Sequence, residues 1–360
     1  MQKRRRMWGW VFVAPQFIGL LIFALIPLVM SFVISFHDWD GIADTMKFVG
    51  VKNYVHQVMD SDFQKALVNT VIYSIMYIPL NIVLALILAL AVQKIKGKTL
   101  YRLFYFMPVV TGSVSVGVIW TWILNGDFGL LNSVLAVFGI NGPKWLTDTH
   151  MVLLSIVIVS VWWNVGYNMV LLLAGLQNIP EVYYEAAEID GANKWARFRN
   201  ITIPMLSPTL FFVLINTIIS SFQVFDQAFV MTKGGPVKAS YTLVYHIYQS
   251  AFVEFKMGRA CAASMILFVI ILAITMVQMY GSKRWVNYEQ YKNQTVNGSS
   301  LSCSQSWGSH HGASLLMDSL KLREKYGTDF YCSADHHSTP LCVEKLSGIS
   351  GCPAFWKSLF

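Results

Sequence analysis

Two apolar runs of the sequence carry side chains that could bind a solute non-covalently. The first run, Met151 to Leu176, has no charged residue, and the second, Pro208 to Met231, has one. Six polar or aromatic side chains in these runs are the candidates: Trp163, Asn164, Tyr167, Ser221, Gln223 and Asp226. Because polar groups facing lipid are costly, we expect these six to face the interior of a bundle or a cavity.

The chemistry that these residues suit is the recognition of a carbohydrate-like solute. A sugar has apolar faces, which match aromatic rings, and hydroxylated edges, which match amide and carboxylate groups. Two other roles stay open. Any one of these side chains could form hydrogen bonds between helices instead, and Asp226 could be an interfacial carboxylate at the end of its run.

No arrangement of residues in the sequence indicates catalysis. His-Glu-x-x-His and Gly-x-Ser-x-Gly are absent, and Gly97-Lys98-Thr99 fails as the end of a phosphate loop because Val92 stands where the first glycine would be. Ala66 to Gly126 contains no Asp or Glu, whereas proton-coupled transporters carry such groups as relays. We therefore predict no enzymatic activity, no cofactor and no metal site, and an energy source outside this chain.

A charged segment, Gln177 to Ser207, separates the two apolar runs and is predicted to contain a short helix. Asn178 and Glu181 fit an N-cap and its partner in the first turn, where Pro180 is tolerated. Gly191 is the expected stop, since glycine takes the left-handed conformation without steric cost. Three apolar residues at helical spacing form a narrow stripe: Val182, Ala186 and Ile189. Such a thin helix could enter a groove on a partner protein.

Composition places the chain among all-α membrane proteins. Of its 360 residues, 55% are hydrophobic and 13% charged, about half the charged fraction of a soluble domain. The net charge of +8 does not indicate nucleic-acid binding, because the basic residues lie mostly in short segments beside apolar runs. Four of the five cysteines lie in the final sixty residues, so no disulfide framework is predicted for the body of the protein.

Six apolar runs are long enough to cross a bilayer. Their predicted ranges are 8–36, 66–92, 103–124, 151–176, 208–231 and 258–280. The first run is too long for a cleaved signal peptide and is expected to be retained. Segments on the side of the N-terminus hold 13 Lys and Arg against seven on the other side, which predicts that both ends of the membrane domain and the 177–207 loop are cytoplasmic.

Several short motifs resemble those of binding-protein-dependent ABC importer permeases, in particular the sugar-importer branch that includes the maltose and glycerol-phosphate permeases. The central motif lies in the charged segment, and the residues that match are Glu185, Ala186, Ala187, Asp190, Gly191, Ala192, Phe198, Ile201, Ile203, Pro204 and Pro208. Two further matches are Tyr105 to Pro108 and Thr232 to Pro236. The resemblance covers roughly residues 8–290.

The resemblance implies a type I permease of six transmembrane helices in a prokaryotic plasma (inner) membrane. It implies that the Glu-Ala-Ala helix seats in a cleft of an ATP-binding cassette subunit, and that Glu185, Ala186, Ala187, Asp190, Gly191, Ala192 and Pro204 form the coupling segment. It also implies a second homologous permease and an extracytoplasmic solute-binding protein as partners. Tyr167 and Asn168 match a Tyr-Asn pair near the sugar contacts of the maltose permease, whereas Trp163 and Asn164 depart from its residues, so the identity of the sugar does not transfer. A stand-alone secondary transporter or channel is the alternative.

The last part of the chain differs in composition from the membrane domain. Residues 1–292 are predicted to form that domain, and residues 293–360 are rich in Ser, Cys and His. No apolar run there could span a membrane, and the spacing of Cys332, His336, His337 and Cys342 fits no usual zinc pattern. The tail is expected to be a disordered extension or the product of a frameshift.

Overall fold

The computed structural model describes Trp10, residues 13–93, Ile95 and residues 97–286. All of these belong to the first of the chain's two units, Met1–Asn287, and the predicted tail 293–360 lies outside the described residues. The helices are α1 (Val13–Ile34), α2 (Lys52–Met59), α3 (Ser61–Gln93), α4 (Lys98–Val110), α5 (Ser113–Ile123), α6 (Leu130–Val137), α7 (Val152–Gln177), α8 (Glu181–Ile189), α9 (Lys194–Phe222), α10 (Leu243–Tyr248) and α11 (Met257–Trp285). Two antiparallel strands of two residues each, β1 (His37–Asp38) and β2 (Lys47–Phe48), pair so that His37 lies opposite Phe48.

The prediction of a mostly helical membrane fold is confirmed. Five helices in the described part of the chain are long and apolar enough to cross a membrane, namely α1, α3, α7, α9 and α11, and a sixth span is counted if α4 and α5 are taken together. The predicted range 66–92 corresponds to α3, 151–176 to α7 and 258–280 to α11, each within a few residues. The second span begins at Ser61 because the preceding polar segment forms α2 and ends at Asp60, whose backbone is extended.

The predicted third span, 103–124, is not one straight helix. α4 and α5 meet at an angle of 93°, because Thr111 and Gly112 both adopt extended backbone conformations. Pro108 lies in the last turn of α4 and removes a backbone donor there, which weakens the helix ahead of the bend.

The predicted loop 177–207 is helical over its second half. α9 begins at Lys194, with the Asn193 side chain accepting the backbone N–H of Ala196 at 2.8 Å, and runs without a break into the fifth span. A π-helical turn, Phe198–Thr202, precedes Pro204 and offers the wider backbone spacing that a proline ring requires. Pro208 cannot donate to the carbonyl of Pro204, and the Ser207 hydroxyl donates to it instead at 2.7 Å. The two prolines therefore leave α9 continuous.

The predicted fifth span, 208–231, ends early. α9 stops at Phe222, and helical backbone resumes at Asp226 and passes into a π-helical turn, Ala228–Thr232. In the gap, the carbonyl of Val224 accepts a hydrogen bond from the Thr242 hydroxyl at 3.0 Å. Non-helical backbone inside an apolar domain persists only where its polar groups find partners or water, and this side-chain contact supplies one partner.

The loop that carries Thr242 is fixed to α3. The Asn69 amide donates to the carbonyls of Lys238 and Tyr241 at 2.8 and 3.1 Å. The Thr70 hydroxyl accepts the backbone N–H of Leu243, the first residue of α10, at 2.9 Å. The position of the break in α9 therefore depends on side chains of α3.

The core lies where α3, α7 and α9 pack together, with α7 the most buried candidate span. Ala85 and Ala89 of α3 are fully buried in this cluster, and such small residues allow helix backbones to approach closely. Gly166 of α7 serves the same purpose toward α4, because a Cβ there would overlap the carbonyl oxygen of Tyr105.

One hydrogen-bonded set joins the three core helices. The Asn168 amide of α7 donates to Asn81 Oδ1 of α3 at 2.6 Å and to Thr217 Oγ1 of α9 at 3.0 Å. All three side chains are buried, at 4%, 0% and 2% exposure. We call this set the Asn168 triad. Asn168 therefore forms hydrogen bonds between helices, which is the second role that the sequence left open for polar side chains in the spans.

We expect Asn168→Ala to lower the stability of the domain. The substitution removes both hydrogen bonds and leaves two buried acceptors with fewer partners, which costs about 1–2 kcal/mol. The measurement is the thermal unfolding midpoint of purified protein in nanodiscs. Asn216→Ala is the matched control, since the Asn216 amide donates only within its own helix, to the Phe212 carbonyl. Equal midpoints for the two variants would contradict a stabilising role for the triad.

Candidate functional site

A cavity of about 210 Å³ lies between α3, α7 and the end of α9. Its lining consists of two tyrosines of α3, two residues of α7, and the segment around the break in α9: Tyr73, Tyr77, Trp163, Asn164, Ser220, Gln223, Val224, Phe225, Asp226 and Gln227. Residues 223–227 line the cavity where α9 is interrupted after Phe222. The break therefore contributes backbone and polar side chains to this wall. The cavity thus combines aromatic rings with amide, hydroxyl and carboxylate groups.

Four of the six residues that the sequence singled out as a solute path line this cavity. They are Trp163, Asn164, Gln223 and Asp226. Tyr167 is 43% exposed and is not among the lining residues. Ser221 is 1% exposed, and its hydroxyl donates to the Ile218 carbonyl at 2.8 Å. The rotation of α7 and α9 about their own axes turns these last two side chains away from the cavity.

Sequence reasoning missed the contribution of α3. Tyr73 and Tyr77 stack with ring centroids 5.4 Å apart and planes within 10° of parallel. Two phenol groups at positions i and i+4 of an otherwise apolar span share one face, and their hydroxyls need polar partners. That spacing was the signal available in the sequence. Ser220 and Gln227 also line the cavity and were not predicted.

The wall of the cavity holds one unpaired donor. The indole nitrogen of Trp163 is buried and has no hydrogen-bond partner among the described residues. A buried N–H without a partner is unusual in a folded protein. The neighbouring Asn164 amide donates to the Ser160 carbonyl at 3.3 Å.

The Asn168 triad lies about one helical turn from the cavity lining on each of the three helices. Asn81 lies one helical turn beyond Tyr77, Asn168 one turn beyond Asn164, and Thr217 one turn before Ser220. On α7 this is the direction of Gln177 and α8. The cavity is therefore separated from α8 by a layer of buried side-chain hydrogen bonds.

The second candidate region is α8, and its C-terminal end was predicted correctly. Gly191 has a φ of 78°. The backbone N–H of Gly191 donates to the Glu188 carbonyl at 3.1 Å, and that of Ala192 donates to the Ala187 carbonyl at 2.8 Å. These two bonds form a Schellman motif, which requires a residue that tolerates positive φ after the helix. Asp190 is the last residue before that turn.

The predicted N-cap of α8 is wrong. α8 begins at Glu181 after Pro180, whose backbone is extended and makes no side-chain capping bond. Asn178 instead ends α7, and its backbone N–H donates to the Gly175 carbonyl at 3.2 Å. Pro180 causes this outcome, because the residue before a proline is disfavoured in helical conformation, so no helix could run from Asn178 through Pro180.

α8 exposes its apolar stripe. Val182 is 69% exposed and Ile189 is 87% exposed, and Glu185 and Ala186 are also exposed. Large apolar side chains that project together from a short helix indicate a surface for another molecule. Ala187 is partly buried and faces the body of the protein.

Two side-chain contacts join α8 to the start of α9. The hydroxyls of Tyr184 and Thr202 lie 3.0 Å apart, and Arg197 pairs with Glu188 at 2.9 Å. Exposed ion pairs of this kind contribute about 0–1 kcal/mol, so the buried Thr202 contact is the firmer link. From there the 20 residues Ile203–Phe222 of α9 extend about 30 Å at 1.5 Å per residue, as far as the cavity. Pro204 follows Thr202 by two residues at the start of this path.

Metal binding finds no support in the described residues, among which no group of three or more His, Cys, Asp or Glu side chains could hold an ion. Cys332, His336, His337 and Cys342 lie outside the described residues.

The model of the family described as "Binding-protein-dependent transport system inner membrane component" matches residues 63–287. This range covers α3 to α11 and includes both the cavity and α8.

Two relatives and one solved structure match most of the chain. The lactose transport system permease protein LacF of Rhizobium radiobacter is 35% identical over 76% of this chain and 94% of its own length. The sn-glycerol-3-phosphate transport system permease protein UgpA of Agrobacterium fabrum is 35% identical over 78% and 96%. A bacterial ABC transporter involved in alginate import shares the fold, with a TM-score of 0.69 at 20% identity over 79% of this chain and 98% of its own.

The cavity wall predicts a difference between two adjacent serines. In a variant without native cysteines, Ser220→Cys should react with a water-soluble thiosulfonate several times faster than Ser221→Cys, because only a thiol that reaches water ionises readily. Both substitutions nearly preserve side-chain size, so each serves as the control for the other. The measurement is the labelling rate of detergent-purified protein by mass spectrometry. Equal rates would contradict the placement of the cavity.

Proposed function

This chain belongs to the family of binding-protein-dependent transport system inner membrane components and is a multi-pass permease subunit of an ABC importer, and we propose that the solute it carries is carbohydrate-like. It is a transport component rather than an enzyme. The family description also implies a solute-binding protein as partner. The observation that carries the proposal on the solute is the composition of the cavity wall.

The cavity wall suits a polyhydroxylated molecule. The aromatic residues Tyr73, Tyr77 and Trp163 line the cavity, and aromatic rings pack against the apolar face of a sugar. Asn164 and Gln223 carry amides, each able both to donate and to accept. Relatives are named for lactose and for sn-glycerol-3-phosphate transport, so both a neutral and an anionic hydroxylated solute occur among proteins similar to this chain. The proposed solute contacts are the four sequence-predicted residues that line the cavity, Trp163, Asn164, Gln223 and Asp226. Tyr73 and Tyr77, which the structure adds to the lining, complete the proposed set.

We infer that α8 is the docking element for an ATP-binding cassette subunit. Its exposed face carries Val182, Glu185 and Ile189, and the Schellman motif at Gly191 determines where the helix ends. Movement of α8 would pass through the Tyr184–Thr202 contact into α9 and so reach the break beside the cavity. The proposed coupling residues are Glu185, Ala186, Ala187, Asp190, Gly191, Ala192 and Pro204.

The mechanism that follows is alternating access. When the ATPase subunits close on ATP, α8 moves with them, and the cavity opens on the side away from the Asn168 triad to take solute from the binding protein. A second homologous permease subunit would supply the opposite wall of the solute path. The exposed apolar faces of α1 and α4 are available for that subunit and for lipid.

The proposed orientation places the N-terminus and α8 in the cytoplasm of a prokaryotic cell. Its basis is the excess of Lys and Arg on that side of the predicted spans, 13 against seven. The ATP that drives the cycle is cytoplasmic, and α8 must lie there to meet an ATPase.

Cysteine labelling in sealed cells tests this orientation. In a cysteine-free variant, Asp44→Cys and Val237→Cys should react with a membrane-impermeant maleimide from outside, because both positions are exposed and lie in segments that the proposed orientation puts outside. Asn193→Cys, in the turn after α8, should react only after the cells are permeabilised. Labelling of position 193 in sealed cells would reverse the assigned orientation.

Variants of Gly191 test the coupling function. Gly191→Val should abolish solute-stimulated ATP hydrolysis and uptake and reduce copurification of the ATPase, because a β-branched residue at a φ of 78° costs about 1–3 kcal/mol and unravels the end of α8. Gly191→Asn is the matched control, since asparagine tolerates positive φ and nothing lies within 4 Å of a Cβ at this position.

Assay of the reconstituted complex, with and without the binding protein, decides between the two functions. Stimulated hydrolysis that survives in Gly191→Asn and is lost in Gly191→Val supports docking through α8. Full stimulation in both variants would falsify that role. Uptake by this chain alone, without ATP, would favour the stand-alone transporter or channel.

A further inference from the structure

We propose that Asp226 makes the cavity selective for uncharged polyhydroxylated solutes and excludes anionic ones such as sugar phosphates and sugar acids. The inference rests on the proposed function, because it concerns the solute that the same cavity admits. It goes beyond that function by assigning the charge of the solute and the residue that determines it.

The charge of the cavity wall comes from a single group. Among the ten lining residues, Asp226 is the one carboxylate, and none is Lys, Arg or His. The other polar members are two tyrosines, the Trp163 indole, three amides and one serine, all neutral at pH 7. The wall that this chain supplies therefore has a net charge of −1.

Asp226 is not neutralised by a neighbouring cation. The described residues contain three ion pairs, Arg197–Glu188, Lys238–Asp62 and Lys256–Glu254, and Asp226 belongs to none of them. It is partly buried, so its field is weakened by solvent less than that of a carboxylate on the outer surface. An anion that enters the cavity would meet an unopposed like charge.

The position of Asp226 follows from the break in α9. α9 ends at Phe222, Val224 and Phe225 are not helical, and Asp226 starts the next helical segment at the cavity wall. The Thr242 hydroxyl holds the Val224 carbonyl at 3.0 Å, which fixes the chain on the N-terminal side of Asp226. The break in α9 therefore determines where the Asp226 carboxylate lies at the cavity wall.

The remaining groups suit hydroxyls and do not suit anions. Proteins bind carboxylate and phosphate groups with Arg and Lys side chains, which form charge-assisted and often bidentate hydrogen bonds. The wall offers instead the amides of Asn164, Gln223 and Gln227, which both donate and accept. Asp226 itself can only accept, and a sugar hydroxyl is a donor that satisfies it.

A structural role for Asp226 makes a different prediction. A carboxylate in the first turn of a helix also stabilises that helix through its dipole, and the segment from Asp226 to Thr232 is helical. If that were its sole role, replacing Asp226 would reduce uptake of neutral and anionic solutes in equal proportion. The ratio of the two uptake rates therefore separates selectivity from stability.

The experiment measures uptake of matched solute pairs by the whole importer, expressed with its own binding protein and ATPase. The radiolabelled pairs are galactose and galacturonate, and glycerol and glycerol 3-phosphate, which differ chiefly by one anionic group. Wild type, Asp226→Asn and Asp226→Lys are compared at equal membrane levels of the permease. The binding protein is the same in each strain, so a change in the ratio within a pair reports the permease cavity.

We expect wild type to take up the neutral member of a transported pair faster, and Asp226→Lys to lower the neutral-to-anionic ratio at least tenfold, a change equivalent to about 1.4 kcal/mol. Asp226→Asn should lower it by a smaller factor, and it also serves if the lysine variant fails to insert. Asp127→Lys is the matched control, because it makes the same charge change at an exposed carboxylate outside the cavity and should leave the ratio unaltered.

Three results would overturn the inference. They are faster uptake of the anionic member by wild type, an unchanged ratio in both Asp226 variants, and an equal shift in the ratio caused by Asp127→Lys. Failure of the proposed function looks different: no member of any pair would enter, and none would stimulate ATP hydrolysis in wild type.

Discussion

The Asn168 triad is the interaction on which the arrangement of the core depends. Helices in a membrane gain little from the hydrophobic effect when they associate, because lipid is as apolar as their side chains. Packing and hydrogen bonds therefore determine how they meet. Asn168 donates to Asn81 on α3 and to Thr217 on α9, and these contacts set the rotation of three helices at once. The same rotation places Tyr77, Asn164 and Ser220, each about one turn away, at the cavity.

A second requirement is that every interruption of a helix must satisfy the backbone groups that it frees. α9 meets this requirement twice. At its start, a π-helical turn and the Ser207 hydroxyl accommodate Pro204 and Pro208, and the helix remains continuous. At its end, the Thr242 hydroxyl donates a hydrogen bond to the Val224 carbonyl. This bond satisfies a backbone group that the break beside the cavity leaves free.

Because of these features, the two ends of the continuous helix α9 contact different parts of the protein. Its N-terminal end contacts α8 through Thr202 and Arg197, and its C-terminal end forms part of the cavity wall. A continuous helix transmits a displacement of one end to the other, whereas a loop without regular structure would absorb it. The sequence predicted one short helix within residues 177–207, and the structure adds the start of α9 at Lys194, on which the proposed coupling depends.

The parts of the protein that the sequence determined by itself are those governed by local properties. The hydropathy of runs of about 20 residues predicted where helices cross, and the requirement for positive φ at Gly191 predicted where α8 ends, because neither depends on a neighbouring element. Asn178 failed as a cap for a local reason too, the effect of Pro180 on the preceding backbone, which the pattern of capping residues did not weigh.

Only the tertiary structure decided which polar side chains face the cavity. Asn164 and Asn168 lie on the same face of α7, one turn apart, yet one lines the cavity and the other is buried between α3 and α9. Ser220 and Ser221 are adjacent and are separated in the same way. The sequence places such residues in a span, but the rotation of each helix, the 93° bend after Val110 and the break after Phe222 result from contacts with other helices. Those contacts join residues as far apart as Asn81 and Asn168, and no local pattern encodes them.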